Sequence, residues 1–266
     1  LFSAGNVISG NSNFGVEIVD SSNTIVVSNR IGTDKLGSTA IANSEGGIRV
    51  ENSDNINIGG MQKNDRNLIS GHTNDNHGIW VSGDSDPVLI RGNFIGTSAT
   101  GTAMLSNSIG IFAEKTADGT PSIRIEKNLI SGNEKDGIML EELDGSFIGR
   151  NIIGKTTHLA TNIGAQGNSL SGIWLSKCEN MKIQNNVISL NGLPSQEEPQ
   201  IWLEDSSYND IRNNRIEGGG SGIVLSSSSN GNFIVRNVIK NSNPGAGIYV
   251  LTNSVSNTIS MNSITS

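Results

Sequence analysis

The sequence predicts an all-β protein, a parallel β-helix, because one short motif recurs along its whole length of 266 residues. The tripeptide Asn-x-Ile recurs in register ten times at spacings of 23 to 38 residues, which indicates a unit of 23 residues lengthened by insertions. A second motif, Gly-apolar-x-apolar, lies between successive copies, as at Gly15–Ile18 and Gly222–Leu225. Repeats of this length cannot bury a hydrophobic face alone and must stack. The repeated asparagines are Asn6, Asn29, Asn67, Asn93, Asn128, Asn151, Asn186, Asn214, Asn237 and Asn262.

Each repeat holds three apolar segments that are too short for helices and are separated by Gly, Asn, Ser and Asp, as strands bounded by turns are. The first strand is the Gly-apolar-x-apolar segment, the second ends about three residues before the asparagine, and the third is Asn-x-Ile itself. We therefore expect three strands per coil and about nine to ten coils, in a single domain over residues 1–266. Because parallel crossovers are almost always right-handed, a right-handed helix is expected.

The repeated asparagine is expected to have two roles. It should form the sharp turn between the second and third strands, since Asn tolerates the left-handed backbone region. Its side-chain amide should also hydrogen-bond to the equivalent amide on the next coil, about 4.8 Å away, which would build an asparagine ladder.

The repeats also carry a family resemblance, on the segments Asn29-Arg30-Ile31-Gly32-Thr33-Asp34 and Asn93-Phe94-Ile95-Gly96-Thr97. Over essentially its whole length the chain resembles right-handed parallel β-helix proteins of the pectate-lyase-like superfamily, especially bacterial surface and secreted repeats. The resemblance implies a secreted or cell-surface location. It implies no single activity, because this architecture serves lyases, hydrolases, epimerases, phage tailspikes and stalks.

Composition narrows the possible partners. The net charge of −7 argues against nucleic acid. No run of 18 apolar residues is present, so no membrane-spanning segment is expected. The single cysteine, Cys178, gives no disulfide framework and is expected to lie in a turn. Neither end shows an evident capping element, so we expect the chain to be a module of a longer, exported protein.

The outward position of the first strands carries the candidate binding residues. Alternation along Gly-apolar-x-apolar points x to solvent. Down the coils, this position reads Glu17, Arg49, Trp80, Phe112, Met139, Trp174, Trp202, Val224 and Tyr249, which we call the aromatic stripe. It contains all three tryptophans of the chain. In enzymes of the fold that the chain resembles, polysaccharide lies on this face, and aromatic faces match the apolar face of a pyranose.

The predicted polysaccharide-binding residues are therefore Trp80, Phe112, Trp174, Trp202, Tyr249 and Arg49. The alternative is that the stripe is covered by loops, by a neighbouring domain or by another subunit. Long loops after the third strands of coils two, four and six are expected to form a fringe along one edge of this face.

Carboxylates beside the stripe suggest two kinds of chemistry. Glu114 and Glu141 occupy equivalent outward positions on adjacent coils, near the carboxyl separation of retaining glycosidases, although two solvated surface glutamates are the simpler interpretation. Together with these glutamates, the turn residues Asp84, Asp86, Asp118 and Asp144 could offer oxygen ligands to calcium. The histidines His72, His77 and His158 are expected in loops without partners.

The sequence is consistent with three functions. The first is a carbohydrate-engaging module of an exported protein that uses the aromatic stripe. The second is a structural stalk whose stripe contacts a neighbouring domain or subunit. The third is a polysaccharide lyase or glycoside hydrolase acting at the same face, with Glu114 and Glu141 as the catalytic candidates.

Overall fold

The computed structural model describes residues 5–155, 166–192 and 197–266. Within these ranges the chain forms 28 short strands in three parallel sheets of nine, nine and ten strands. Every coil adds one strand to each sheet, and each strand pairs with its equivalents on the coils before and after. The predicted all-β, parallel β-helix architecture is confirmed. The helical content of the described ranges is one 3₁₀ turn, Lys63–Asp65.

The strands follow the three segments of the repeat. The first sheet contains Phe14–Val19, Gly46–Glu51, His77–Ser82, Ile111–Glu114, Ile138–Glu141, Ile173–Ser176, Ile201–Glu204, Ile223–Ser226 and Ile248–Val250. The second contains Ile25–Val26, Ile56–Gly59, Val88–Arg91, Ile123–Glu126, Phe147–Gly149, Lys182–Gln184, Asp210–Arg212, Phe233–Val235 and Thr258–Ser260. The third contains Val7–Ile8, Arg30–Ile31, Leu68–Ile69, Phe94–Ile95, Leu129–Ile130, Ile152–Gly154, Val187–Ser189, Arg215–Glu217, Val238–Lys240 and Ser263–Thr265.

The core is a set of columns of small aliphatic side chains. Ile79, Ile111 and Ile138 lie on one another in the first sheet and are fully buried. Similar columns project inward from the other two sheets, and none of the buried core side chains in the described ranges is aromatic. A β-branched residue suits an extended backbone and fills the narrow interior of a coil. Each buried isoleucine stabilises the stack by about 1.5–3 kcal/mol relative to exposure.

The asparagine ladder is present at all ten positions. Each side-chain Nδ2 donates to the Oδ1 of the next asparagine, over distances of 2.9–3.2 Å from Asn6 to Asn262. In the middle of the ladder, Asn128 also donates from Nδ2 to the Ile90 carbonyl, and its Oδ1 accepts the backbone N–H of Asn93. From Asn29 to Asn237 the amides are buried and have partners on both neighbouring coils, as buried polar groups require.

The turn before the ladder differs from the prediction. None of the ladder asparagines has a positive φ; the residue directly before the asparagine usually does, including Lys127 at 54° and Arg150 at 59°. The asparagine side chain must point inward to join the ladder, so the preceding residue makes the left-handed turn. That conformation costs a non-glycine residue about 1–2 kcal/mol, and the ladder hydrogen bonds offset it.

A second ladder, absent from the sequence analysis, lies at the turn between the third and first sheets. Its members are Asn11, Asn43, His72, Asn107, Asn133, Asn168, Asn191 and Gln200. On uninterrupted coils the sequence signal is a residue five positions after the first-ladder asparagine, as in Ser-Gly-Asn133 and Ser-Gly-His72. Insertions shift that spacing on coils two, four and six, which hides the pattern in the sequence.

His72 substitutes for asparagine in this second ladder, so the expectation that it lies in a loop without partners was wrong. Its Nε2 accepts from Asn43 Nδ2 at 3.1 Å. Asn107 uses its Nδ2 as a donor elsewhere, so its Oδ1 faces the imidazole and accepts from His72 Nδ1 at 3.0 Å. Burial lowers the pKa of His72 from 6.5 to about 4, and the neutral ring is the form that fits the ladder.

The long loops also lie elsewhere than predicted. Loops 33–40 and 97–104 are closed by the antiparallel bridges Thr33–Ala40 and Thr97–Met104. They fold back over the outer face of the third sheet, where the outward side chains of Leu68 and Leu129 are buried. A Cβ on Gly37 would come within 2.5 Å of Leu68 Cδ2, so this loop approaches too closely for a larger residue. The long loop of coil six lies largely outside the described residues.

Asn128→Ala is expected to lower the free energy of unfolding by about 3 kcal/mol or more, because several buried groups lose partners worth about 1–3 kcal/mol each. Asn64→Ala, at an exposed side chain, is the matched control and should change little. Thermal melting monitored by circular dichroism measures both. Equal melting temperatures for the two variants would show that the ladder does not stabilise the coil stack.

His72→Asn is expected to reduce the loss of stability at acidic pH. Since the folded pKa of His72 is about 4 and the unfolded one is 6.5, the unfolded state binds more protons between these values. The stability contributed by neutral His72 is therefore complete above pH 6.5 and falls as pH falls toward 4. Melting at pH 7.5 and pH 5 should show the variant gaining about 2 kcal/mol relative to the parent at the lower pH. A difference that does not depend on pH would contradict this.

Candidate functional site

The aromatic stripe forms as the sequence predicts, in unbroken register. The pairs run from Glu17 to Arg49, Trp80, Phe112, Met139, Trp174, Trp202, Val224 and Tyr249 along the first sheet. From Arg49 to Val224 the apolar residues on either side of each stripe position are buried, so the stripe side chains point out of the coil. Their environments divide the stripe into two halves, which the sequence does not distinguish.

The first half is a packed aromatic cluster of Phe14, His77, Trp80 and Phe112. Ring centroids lie 6.0 Å apart for Phe14 and Trp80, and 4.9 Å apart for His77 and Phe112. Phe14 and His77 occupy a neighbouring outward column with Gly46 between them, and the missing side chain leaves room for the Phe14 ring. Phe14 and His77 are not predicted by the stripe pattern, because they belong to the next outward column.

Arg49 is held within this cluster by ion pairs and a cation–π contact. Its guanidinium pairs with Glu17 at 2.9 Å and Glu51 at 2.5 Å. Its Cζ lies 5.4 Å from the centroid of the Trp80 ring, within cation–π range. Burial, aided by the charge of Lys135, lowers the pKa of His77 to about 4, so the cluster gains no second cation at neutral pH.

The second half of the stripe is more open. Trp174 and Trp202 are offset-stacked, with centroids 5.1 Å apart and planes 13° from parallel, and both are half-buried. Trp202 Nε1 donates to Ser226 Oγ at 2.9 Å, which fixes the indole. Such a stack contributes about 0.5–1.5 kcal/mol beyond the area it buries.

A cleft of about 250 Å³ follows Trp202 along the stripe. The small side chain of Val224 forms its floor, and Tyr249, which is 50% exposed, stands on the far side. Polar groups around it come from Glu197, Glu198, Ser221 and Ser226. Trp202 and Tyr249 are two strands apart, which is about 9.6 Å at the spacing of a parallel sheet.

The two candidate catalytic glutamates are neighbours, as predicted. Glu114 and Glu141 pair directly in the first sheet. Partial burial, followed by the charges of Glu114 and Glu142, raises the pKa of Glu141. Glu114 Oε1 accepts a hydrogen bond of 3.1 Å from Trp80 Nε1, so one oxygen of this carboxylate is committed to the aromatic cluster.

The four candidate calcium ligands do not form a metal centre. Across residues 5–155, 166–192 and 197–266, no group of three or more His, Cys, Asp or Glu side chains lies close enough to share a cation. Asp84 and Asp86 share the turn between His77–Ser82 and Val88–Arg91, Asp118 and Asp144 lie on the turns of the next two coils, and all four are exposed. Asp144 accepts a hydrogen bond of 2.9 Å from Asn180 Nδ2.

Cys178 is buried in a turn, and burial raises the pKa of its thiol to about 12, which makes it a poor nucleophile. His158 lies outside the described residues. No helix in the described ranges is long and apolar enough to cross a bilayer.

The sequence that forms these coils matches a known protein family. The family model described as "Right handed beta helix region" matches residues 35–264. The chain belongs to this right-handed β-helix family. No curated protein sequence matches it.

Solved structures share this β-helix at low sequence identity. A mutant of the periplasmic alginate epimerase AlgG has a TM-score of 0.60 and 14% identity, covering 94% of this chain and 61% of its own. The A-module of the mannuronan C-5 epimerase AlgE6 of Azotobacter vinelandii has a TM-score of 0.51 and 13% identity, covering 97% and 56%. The Dettilon tailspike protein has a TM-score of 0.52 and 14% identity, covering 94% and 55%. The β-helix chain thus spans 55–61% of the length of these proteins, and the likeness concerns fold.

Glu114→Gln is expected to lower the pKa of Glu141, because it removes the nearest negative charge. Burial, the larger cause, remains, so the pKa should stay above the ordinary glutamate value. Side-chain carboxyl chemical shifts followed by NMR over pH 3–8 measure it. Glu204→Gln, two coils further along the same column, is the control and should leave the Glu141 titration unchanged; equal shifts in both variants would contradict the pairing.

Proposed function

We propose that this β-helix is a carbohydrate-engaging module of an exported protein, and that sugars bind along the second half of the aromatic stripe. The observation that carries the proposal is the open cleft between Trp202 and Tyr249, next to the stacked Trp174. Exposed aromatic surface of this kind usually marks an interaction site.

The spacing of the cleft suits a pyranose ring. Apolar atoms pack at about 3.5–4 Å, so a ring between two aromatic faces needs about 7–8 Å, less than the roughly 9.6 Å between these strands. The Glu197 and Glu198 carboxylates at the edge of the cleft can accept hydrogen bonds from sugar hydroxyls, while the Ser226 hydroxyl is used to hold the Trp202 indole. Few polar groups in an otherwise apolar cleft are typical of sites that orient a ligand.

The charges around the cleft favour a neutral glycan. Glu197 and Glu198 line it, and Glu204 follows Trp202 on the same strand, two residues on. These carboxylates repel a polyuronate. Two of the similar structures are, by name, an alginate epimerase and a mannuronan epimerase, which supports a carbohydrate-related role for the fold but not their substrates for this chain.

A structural role is the second candidate, and the first half of the stripe favours it. Phe14, His77, Trp80 and Arg49 are occupied with one another, as in a ledge that stiffens the sheet. The enzymatic alternative rests on Glu114 and Glu141, and one of these carboxylates is already committed to Trp80. The binding module therefore has the strongest support.

Tyr249→Ala and Trp202→Ala are each expected to weaken binding of a neutral oligosaccharide at least tenfold. A neutral-glycan array identifies the probe, and calorimetry measures the affinity. Tyr249→Ala should melt like the parent because the ring is half exposed, whereas Trp202→Ala also loses a stack of about 1 kcal/mol.

Phe233→Ala, at an exposed aromatic residue of the second sheet, is the matched control and should bind normally. If the array retains no glycan, or if Tyr249→Ala binds as the parent does, the stripe is not a sugar site. A large drop in the melting temperature of Trp202→Ala would then favour the stalk.

A further inference from the structure

A second cleft, of about 470 Å³, lies on the outer face of the third sheet, a different face from the aromatic stripe. Arg30 and Phe94 project into it as outward residues of the third sheet, with the buried Leu68 between them in register. Its volume is within the range of about 300–1,000 Å³ that is usual for ligand sites.

The walls of this cleft are formed before any ligand arrives. One wall consists of the hairpin loops 33–40 and 97–104, which are joined by a hydrogen bond of 2.8 Å from Ala99 N to Gly37 O. The other is the turn that contains the 3₁₀ segment Lys63–Asp65. A preformed site loses less conformational entropy when it binds a ligand.

Four cationic side chains line the cleft, and no carboxylate does: the cations are Arg30, Lys35, Lys63 and Arg66. This is unusual in a chain whose net charge is −7. An adjoining cleft of about 240 Å³ shares Lys63 and Arg66 and adds Lys127. Like charges held together repel, and an anion would relieve that repulsion.

The nearby carboxylates are already committed to backbone amides. Asp34 Oδ1 accepts from the N–H groups of Ser38 and Thr39 at 2.7 and 3.0 Å. Asp65 Oδ2 accepts from Gln62 N at 3.1 Å. Within the described ranges, the ammonium groups of Lys35 and Lys63 have no ion-pair partner. Asp34 and Asp65 keep their negative charges, but neither pairs directly with Lys35 or Lys63, so these two ammonium groups can reach an incoming anion.

Arg66 is held in place at the centre of the cleft. Its Cζ lies 3.8 Å from the centroid of the Phe94 ring, and its Nε donates to the Gly92 carbonyl at 3.3 Å. A guanidinium fixed by an aromatic face is pre-organised to donate in its own plane, and two oxygens of a carboxylate or of a tetrahedral oxyanion can accept such paired hydrogen bonds.

We propose that this cleft binds the oxyanion group of an anionic saccharide, a sulfate or a carboxylate carried on a sugar. Lys35 and Lys63 approach the group from the two walls, and Arg66 from the floor. The site is separate from the aromatic stripe, whose carboxylates favour neutral sugars. The same module would then hold two kinds of glycan on two faces.

A saccharide fits this cleft better than nucleic acid does. A nucleic-acid strand follows an extended basic track and gains affinity from many phosphate contacts. Here the clustered cationic side chains are confined to two adjoining clefts, and the chain as a whole is acidic. A single anionic group on a sugar can contact these cationic side chains. The rest of a sugar with few charges is not repelled by the acidic surface around the cleft.

Calorimetry at 50 and 300 mM NaCl tests the proposal with four probes: a sulfated tetrasaccharide, a uronate tetrasaccharide, a neutral tetrasaccharide and a single-stranded oligodeoxynucleotide. The double variant Lys35→Gln/Lys63→Gln removes the two exposed ammonium groups. Lys115→Gln/Lys182→Gln makes the same change of net charge at exposed side chains away from the cleft and is the matched control.

We expect one of the two anionic tetrasaccharides to bind at least tenfold more tightly than the neutral one, and less tightly at the higher salt concentration. The cleft variant should lose at least tenfold in affinity, and the control variant less than twofold. Whichever anionic sugar binds more tightly identifies the group, sulfate or carboxylate.

The proposal would be overturned if the anionic tetrasaccharides bound no more tightly than the neutral one, or if the two lysine double variants lost equal affinity. It would also be overturned if the oligodeoxynucleotide bound more tightly than either anionic tetrasaccharide and the cleft variant abolished that binding. Neutral-glycan binding at the stripe should be unchanged in the cleft variant. The two sites therefore succeed or fail separately.

Discussion

The hydrogen bond between asparagine amides on successive coils is the constraint on which the rest of the structure depends. A primary amide in an apolar interior is costly unless its donors and acceptor are all used, and here the partners lie only on neighbouring coils. A strand that slipped by one residue would turn its isoleucines outward and leave an amide unpaired. The ladder and the isoleucine columns thus impose the same register, and agreement of this kind defines one native arrangement.

Fixed register makes the outer faces predictable and leaves the turns free to vary. Since each coil returns to the same place, residues 22 to 38 positions apart in the chain lie side by side, and a stripe can be assembled from single outward positions. Insertions are accommodated at the turns without disturbing the sheets, because loop closure costs rise slowly with length. In this chain the inserted loops 33–40 and 97–104 also cover Leu68 and Leu129 and build one wall of the basic cleft.

What could be read from the sequence is what repeats. The ten asparagines, the alternation of Gly-Ile-x-Ile and the stripe of outward residues all follow from periodicity, and the structure confirms them.

The features that the sequence does not predict depend on local turns and on contacts between columns of side chains. The left-handed residue is Lys127 or Arg150 rather than the asparagine, because inward and turn-forming roles compete for one residue. The position of His72 in the second ladder was hidden by the insertions that change its spacing. The aspartates of the acidic turns are adjacent in register, yet each has its own local environment, so proximity along the repeat did not produce a metal site.

Both ladders are also directional. In the first, every Nδ2 donates toward the coil that follows, and the second runs in the same sense from Asn11 through His72 to Gln200. The amide dipoles therefore add along the axis, with the positive end toward the last coils, by the same summation that gives an α-helix its macrodipole. Reversing one amide would set donor against donor on one side and acceptor against acceptor on the other. The orientation of each column is a collective property, and a single histidine tautomer, Nδ1–H at His72, is what lets the second column continue unbroken.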